Sequence, residues 1–163
     1  MKQREIKFRV WDKKHKHMAE IMHLTFRNGK LETTHYANNG GVYLHKPEDY
    51  ELMQYTGLKD KDEKEIYEGD ILRRDWPKDS QGRNQFQIGV VGFGQFLMTD
   101  FAGEDIQGYY VKILASDSYG FNHANSEFKT VLNDTNFPEW RLVGNIFENP
   151  KLIEETYAKL RNT

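Results

Sequence analysis

Apolar side chains recur at every second position through much of this chain. Ile6, Phe8 and Val10 fall on one face of a first segment and Lys7, Arg9 and Trp11 on the other, the period of two that a half-buried strand requires. Lys13-Lys14-His15-Lys16 reads as a turn, Met18 to Phe26 as a second strand and Leu31 to Tyr36 as its return. Between the last two lies Arg27-Asn28-Gly29-Lys30, whose Asn-Gly pair accepts the positive φ angles of a type I′ hairpin. The stretch Ala37 to Gly41 holds two Asn and two Gly, and Lys46-Pro47-Glu48-Asp49 is a second breaker. A seam between 37 and 50 follows.

Beyond it, Tyr50 to Thr56 and Ile66 to Arg74 read as strands around Lys59 to Glu65, whose seven consecutive charges predict a solvated loop. Lys78 to Asn84 reads as an exposed excursion. Phe86 to Phe93 and Gln95 to Phe101 are β segments separated by Gly94, and glycines at 89, 92 and 94 suit the bends and close backbone approaches of a tightly curled sheet. Gly108 to Ala115 is a further strand, 116–138 an irregular polar insertion, and Glu139 to Phe147 a last strand. Asn149 as N-cap, Pro150 at the first helical position and the stripe Leu152, Ile153, Thr156, Tyr157 and Leu160 predict a C-terminal helix.

Composition changes this picture in two ways. Apolar content of 37% with 29% charged residues points toward disorder, but 10 Phe, 9 Tyr and 3 Trp argue for a folded β-rich domain. The absence of Cys removes disulfides, thiolate metal sites and cysteine nucleophiles. The net charge of −2 hides an asymmetry: residues 1–30 carry nine Lys/Arg against three Asp/Glu, the remainder fourteen against twenty-two. The start carries charges where a signal peptide needs its apolar stretch, so none is expected, and the most apolar window, Phe86 to Met98, is too short and interrupted to span a bilayer. A cytoplasmic protein without membrane contact is expected.

Three blocks are recognisable together: Arg4-Glu-Ile-Lys-Phe-Arg-Val-Trp-Asp12; Leu52-Met-Gln-Tyr-Thr-Gly-Leu-Lys-Asp60 continuing to Glu65-Ile-Tyr-Glu-Gly-Asp-Ile71; and Val143-Gly-Asn-Ile-Phe-Glu-Asn-Pro150. In this order the chain resembles the YopX family of bacteriophage and prophage proteins. The resemblance implies a β-rich protein with an SH3-type small barrel, made in a bacterial host cell, and supplies no catalytic residue to transfer. Where the family commonly has an Asn-Gly turn between the two middle strands, this chain has Asp62-Glu63. Glu63 adopts positive φ less cheaply than Gly, so a loop wider than two residues is expected there.

Candidate chemistry is sparse. Glu68 and Asp70 are paired carboxylates, but Gly69 as a bend, Asp70 as a cap on neighbouring N–H groups and Ile71 in the core form the simpler reading. His15 and His17 are two apart and share a strand face, so with Asp12 or Glu20 they offer a nitrogen/oxygen metal set, opposed by the lysines around them. No Gly-x-Ser-x-Gly or phosphate-loop motif occurs. Lys7, Arg9 and Trp11 on one strand, with Arg73, Arg74 and Trp76 on a later one, pair cations with aromatic rings as single-strand nucleic-acid binders do.

The expected architecture is mainly β: an N-terminal β-meander over 1–45, an SH3-like barrel over 50–148 and a C-terminal helix over 149–163. The expected function is binding without catalysis or cofactor, to a protein partner or as a homo-oligomer. Nucleic acid bound through Lys7, Arg9, Trp11, Arg73, Arg74 and Trp76 is the alternative, and a metal-dependent hydrolase using the His-rich front half is a third reading.

Overall fold

The computed structural model describes residues 5–38, 41–98, 104–116, 129–132 and 139–161. It is mainly β and divides into two compact units, residues 1–57 and 58–163. The first unit holds β1 (Phe8–Asp12), β2 (His17–Arg27), β3 (Lys30–Asn38), β4 (Gly41–His45), a 3₁₀ turn (Pro47–Asp49) and β5 (Tyr50–Lys59). Its strands are ordered β4-β3-β2-β1-β5. Asn28 and Gly29 take φ of 52° and 76°, the I′ geometry that joins β2 to β3. The N-terminal meander, read from the sequence as three strands, thus gains two: β4, inside the expected seam, and β5, which pairs antiparallel with β1 from Phe8 opposite Gln54 to Asp12 opposite Tyr50. That pairing moves the division of the chain to Gly57, downstream of the 37–50 stretch. Val10, Ala19, Tyr36 and Tyr50 form the unit's core, with Ile21, Leu31 and Leu52 packed against them.

The second unit contains β6 (Glu65–Tyr67), β7 (Asp70–Trp76), β8 (Gln85–Met98), β9 (Glu104–Ser116), β10 (Lys129–Val131), β11 (Arg141–Asn145) and α1 (Pro150–Arg161). An antiparallel sheet runs β10-β9-β8-β7-β11. Among the described residues it does not close into a barrel, for β10 and β11 lie at its two ends. Both sheet faces are covered by side chains instead. Ile66, Leu72, Val91, Val111, Ile113, Leu132 and Trp140 make one cluster. Ile71, Ile88 and Ala115 make the other, capped by Leu152 and Ile153 of α1. An open sheet whose faces are both buried has no need of closure to shield its apolar side chains. Among the described residues no helix is long and apolar enough to cross a membrane.

Two readings along this sheet are corrected. Gly94 does not separate two strands; β8 continues through it to Met98. Gly92 leaves room for the Tyr110 ring from the neighbouring strand, which would lie 2.8 Å from a Cβ there. The insertion 116–138 is not wholly irregular, because Lys129–Val131 pairs with Tyr110–Lys112 and brings Leu132 into the core. Three residues are too few for their period to be visible in sequence.

Short polar side chains build the turns. Asp60, 3% exposed within the charged run, accepts the Asp62 and Lys64 N–H groups on Oδ1 and the Leu142 N–H on Oδ2. The run is therefore not solvated throughout: one of its carboxylates is a buried anchor. Lys61, Asp62 and Glu63 form a three-residue loop closed by the Asp60 and Lys64 backbones, with Glu63 at φ 63°. The loop is wider than a two-residue hairpin, as expected, yet Glu63 still takes the left-handed conformation. Asp70 caps the Tyr67 N–H at 2.8 Å while Ile71 is fully buried, and Gly69 at φ 79° lies against Ile146 and Phe147. Asn149 departs from its predicted role: its Oδ1 accepts the Asn145 N–H rather than a helix N–H. A Cβ on Gly144 would collide with that amide.

Two predictions follow from these turns. Glu63→Gly removes the left-handed strain at the loss of an exposed 3.4 Å contact to Lys59, and chemical denaturation should show a gain of about 0.5–1 kcal/mol. Asp60→Ala leaves three N–H groups without their acceptor and should lose about 2–4 kcal/mol by the same assay, with Asp60→Asn losing less.

Candidate functional site

A connected set of polar side chains lies in the first unit, around the carboxylate that ends β1. Asp12 is 1% exposed. Its Oδ1 accepts the backbone N–H groups of Lys14 and His15, both at 2.8 Å. Its Oδ2 pairs with His15 Nδ1 at 2.9 Å and accepts the Tyr36 hydroxyl at 3.1 Å. The Lys16 N–H closes the turn onto the Asp12 carbonyl, with Lys16 at φ 55°. One aspartate therefore shapes the β1–β2 turn and orients the imidazole carried by it. The carboxylate thereby fixes the orientation of the His15 ring through its Nδ1.

The cluster extends across the sheet by ring contacts. The Tyr36 ring stacks on His45 of β4 with centroids 3.8 Å apart and meets Tyr50 edge-on at 5.9 Å. The Tyr50 hydroxyl shares a 2.6 Å hydrogen bond with Thr34 Oγ1. Burial would raise the Asp12 carboxyl, but hydrogen bonds from the His15 ring and N–H, the Tyr36 hydroxyl and the Lys14 N–H outweigh it and hold it at about 2. Burial, aided by the Asp12 charge, pushes the Tyr36 hydroxyl well above the usual tyrosine range. Burial also raises Tyr50, against the Thr34 hydrogen bond, and lowers His45.

The residues singled out in sequence are placed differently. On β1 the face shared by Lys7, Arg9 and Trp11 is not an open platform: Trp11 is 7% exposed and Lys7 sits 5.5 Å above the buried Tyr55 ring. On β7, Arg73 and Arg74 point to opposite faces, as neighbours on a strand must. Arg73 lies over Phe86 at 4.5 Å and pairs with Asp75. Arg74 is held between the Trp76 and Trp140 rings at 4.3 and 4.8 Å and donates twice to Gln87 Oε1. Cation and ring do come together, but within the chain. Burial lowers the Arg74 pKa.

The His15 and His17 rings are 6.3 Å apart. Among the described residues no three His, Asp or Glu side chains are grouped to hold a metal ion. In sequence Asp12 reads as a spare metal ligand, and Tyr36, Thr34, Tyr50 and His45 do not stand out as a set. A signal existed: Asp before a Lys-Lys-His turn is a turn-capping position, and alternate polar side chains at Thr34 and Tyr36 on a strand mark one face.

Because the Asp12 carboxyl is depressed from its ordinary 3.8 to about 2, its contribution to stability is complete above pH 4 and is lost as pH falls toward 2. Urea unfolding should show a loss of about 2 kcal/mol from this group over that window. Tyr36→Phe, which removes one donor, should cost about 1–2 kcal/mol at neutral pH, and its difference from the native chain should shrink below pH 4.

Comparison with known proteins bears on the fold. The crystal structure of protein EF1440 from Enterococcus faecalis is similar, with a TM-score of 0.52 at 23% identity, covering 93% of this chain and 99% of that one. No curated protein matches. The family model described as YopX protein matches residues 7–154. That span takes in β1, both middle blocks and the Asn145 to Pro150 turn, so the chain belongs to the YopX family.

Proposed function

We propose that this protein acts by binding another protein, through the β2–β4 part of the first unit's sheet. The observation that carries the reading is an edge strand on a sheet that also exposes large apolar side chains. Met22 and Phe26 on β2 and Leu44 on β4 are 57, 58 and 58% exposed, and β4 is the terminal strand of the order β4-β3-β2-β1-β5. An edge strand offers its unpaired backbone groups to an incoming strand, and neighbouring apolar side chains supply contact area and selectivity. A second copy of this chain is the simplest partner of that kind. Catalysis and a bound cofactor form no part of the reading: Asp12, His15 and Tyr36 satisfy one another. Family membership supports an accessory role in phage or prophage biology inside the bacterial cytoplasm. The same support extends to the SH3-like relation of 50–148, here in an opened form.

A second reading, nucleic-acid binding, is favoured by one observation. Lys14 and Lys16 are exposed on a turn whose shape Asp12 holds, and a preformed basic turn suits phosphate contacts.

Light scattering over a range of concentrations, with affinity capture from the bacterial host, tests the first reading. Self-association or a specific captured protein should be lost on Phe26→Lys with Leu44→Lys while the fold is kept. A monomer that captures nothing, or a partner retained by the double variant, would refute it. For the second, a labelled single-stranded oligonucleotide should bind at low salt, weaken steeply as salt rises, and lose affinity on Lys14→Glu with Lys16→Glu. Absence of binding at low salt removes that reading.

A further inference from the structure

His45 occupies the last position of the edge strand β4, opposite Thr34 of β3. Its Nε2 is buried and has no hydrogen-bond partner among the described residues. The nearest hydroxyls are committed elsewhere: Thr34 Oγ1 pairs with Tyr50, and Tyr36 donates to Asp12. As a bare acceptor in a neutral imidazole this nitrogen costs less than it would charged. Once protonated it becomes a buried cationic donor with nothing to donate to, which is expensive. The ring is held there by its close stack on Tyr36.

Charged and titratable groups on the neighbouring elements act on it through their charge. Asp12 of β1 and Asp49 of the 3₁₀ turn favour the proton, and His15 of the β1–β2 turn and His35 of β3 oppose it, with burial the largest influence and also opposed. Tyr36 on β3 and, beyond it, Tyr50 on β5 are neutral near pH 7, their hydroxyls raised by burial. Asp12 stays ionised down to about pH 2, so its carboxylate is unchanged through the range in which imidazoles titrate.

From the buried, partnerless Nε2 and its stack on Tyr36 we infer that the hold of β4 on the first unit's sheet is sensitive to mild acid. At pH 7 the neutral ring sits in place. Toward pH 5 the conformation in which β4 swings off β3 lets the imidazole meet water and take a proton, and that conformation gains population. The folded-state pKa of His45 is lowered, so the sign is a loss of β4 stability as pH falls below the free-imidazole value of about 6.5. A free imidazole of that pKa limits the gain in opening to about 30-fold at pH 5. The inference concerns the strand alone and stands whether or not β4 carries a partner.

Hydrogen exchange on the full chain tests it, with rates divided by the intrinsic rates at each pH. Protection of the amides of 41–45 should fall by up to about 30-fold between pH 7.5 and pH 5.0, while β8 and β9 hold theirs. In His45→Phe, which keeps a ring against Tyr36 and has no proton to gain, β4 protection should be the same at both pH values. Unchanged protection in the native chain, or the same fall in His45→Phe, overturns the inference. If that variant does not fold, the imidazole resonances of the native chain decide: a His45 midpoint below the free value supports the inference, and one at or above it overturns it.

Discussion

A charge taken out of water must be given hydrogen bonds or it will not stay charged. Asp12 meets that demand with two backbone N–H groups, one imidazole and one phenol, and Asp60 with three backbone N–H groups. Each set of donors comes from segments that have to be in place at once. Satisfying Asp12 draws β3, through Tyr36, onto the end of β1, and satisfying Asp60 draws Leu142 onto the loop that follows β5. The buried carboxylates thus act as fixed points from which the strands of each unit are aligned. Apolar packing supplies most of the driving force, but it is non-directional. The hydrogen bonds select one arrangement from the many that would bury similar area.

The recognisable sequence blocks gain a physical meaning from this. Leu52 to Asp60, Glu65 to Ile71 and Val143 to Pro150 end in, or contain, residues that cap turns: Asp60, Asp70 and Asn145. Gly69 and Gly144 provide the space those turns need. Every one of these roles is structural, which is why such blocks identify a fold and a family without identifying a reaction. The likeness to EF1440, at 23% identity over nearly the whole of both chains, is a likeness of fold in the same sense.

Cations and aromatic rings tell a related story. Seen as sequence, Lys7 with Trp11 and Arg73-Arg74 with Trp76 look like surfaces awaiting a ligand. In the folded chain Trp11 is buried, while Lys7 lies over Tyr55, Arg73 over Phe86 and Arg74 over Trp76, contacts worth about 0.5–2 kcal/mol each. Large apolar side chains do face solvent, Met22, Phe26 and Leu44 among them, on strands whose alternation gave no warning of exposure.

Local physics was readable directly from the residues. The β-rich character, the Asn28-Gly29 hairpin, the cap at Asp70, the widened loop at Glu63 and the C-terminal helix all depend on side chains within a few positions of one another, and the family follows from blocks in order. What only the tertiary structure decided depends on partners far apart in sequence. Asp12 meets Tyr36 twenty-four residues away and Asp60 meets Leu142 eighty-two residues away. The open sheet depends likewise on α1 covering a face that closure would otherwise have hidden. The period of a strand says that a face is apolar, but whether that face is covered by a helix, by a second sheet or by curling on itself is fixed by long-range contacts with no local signature.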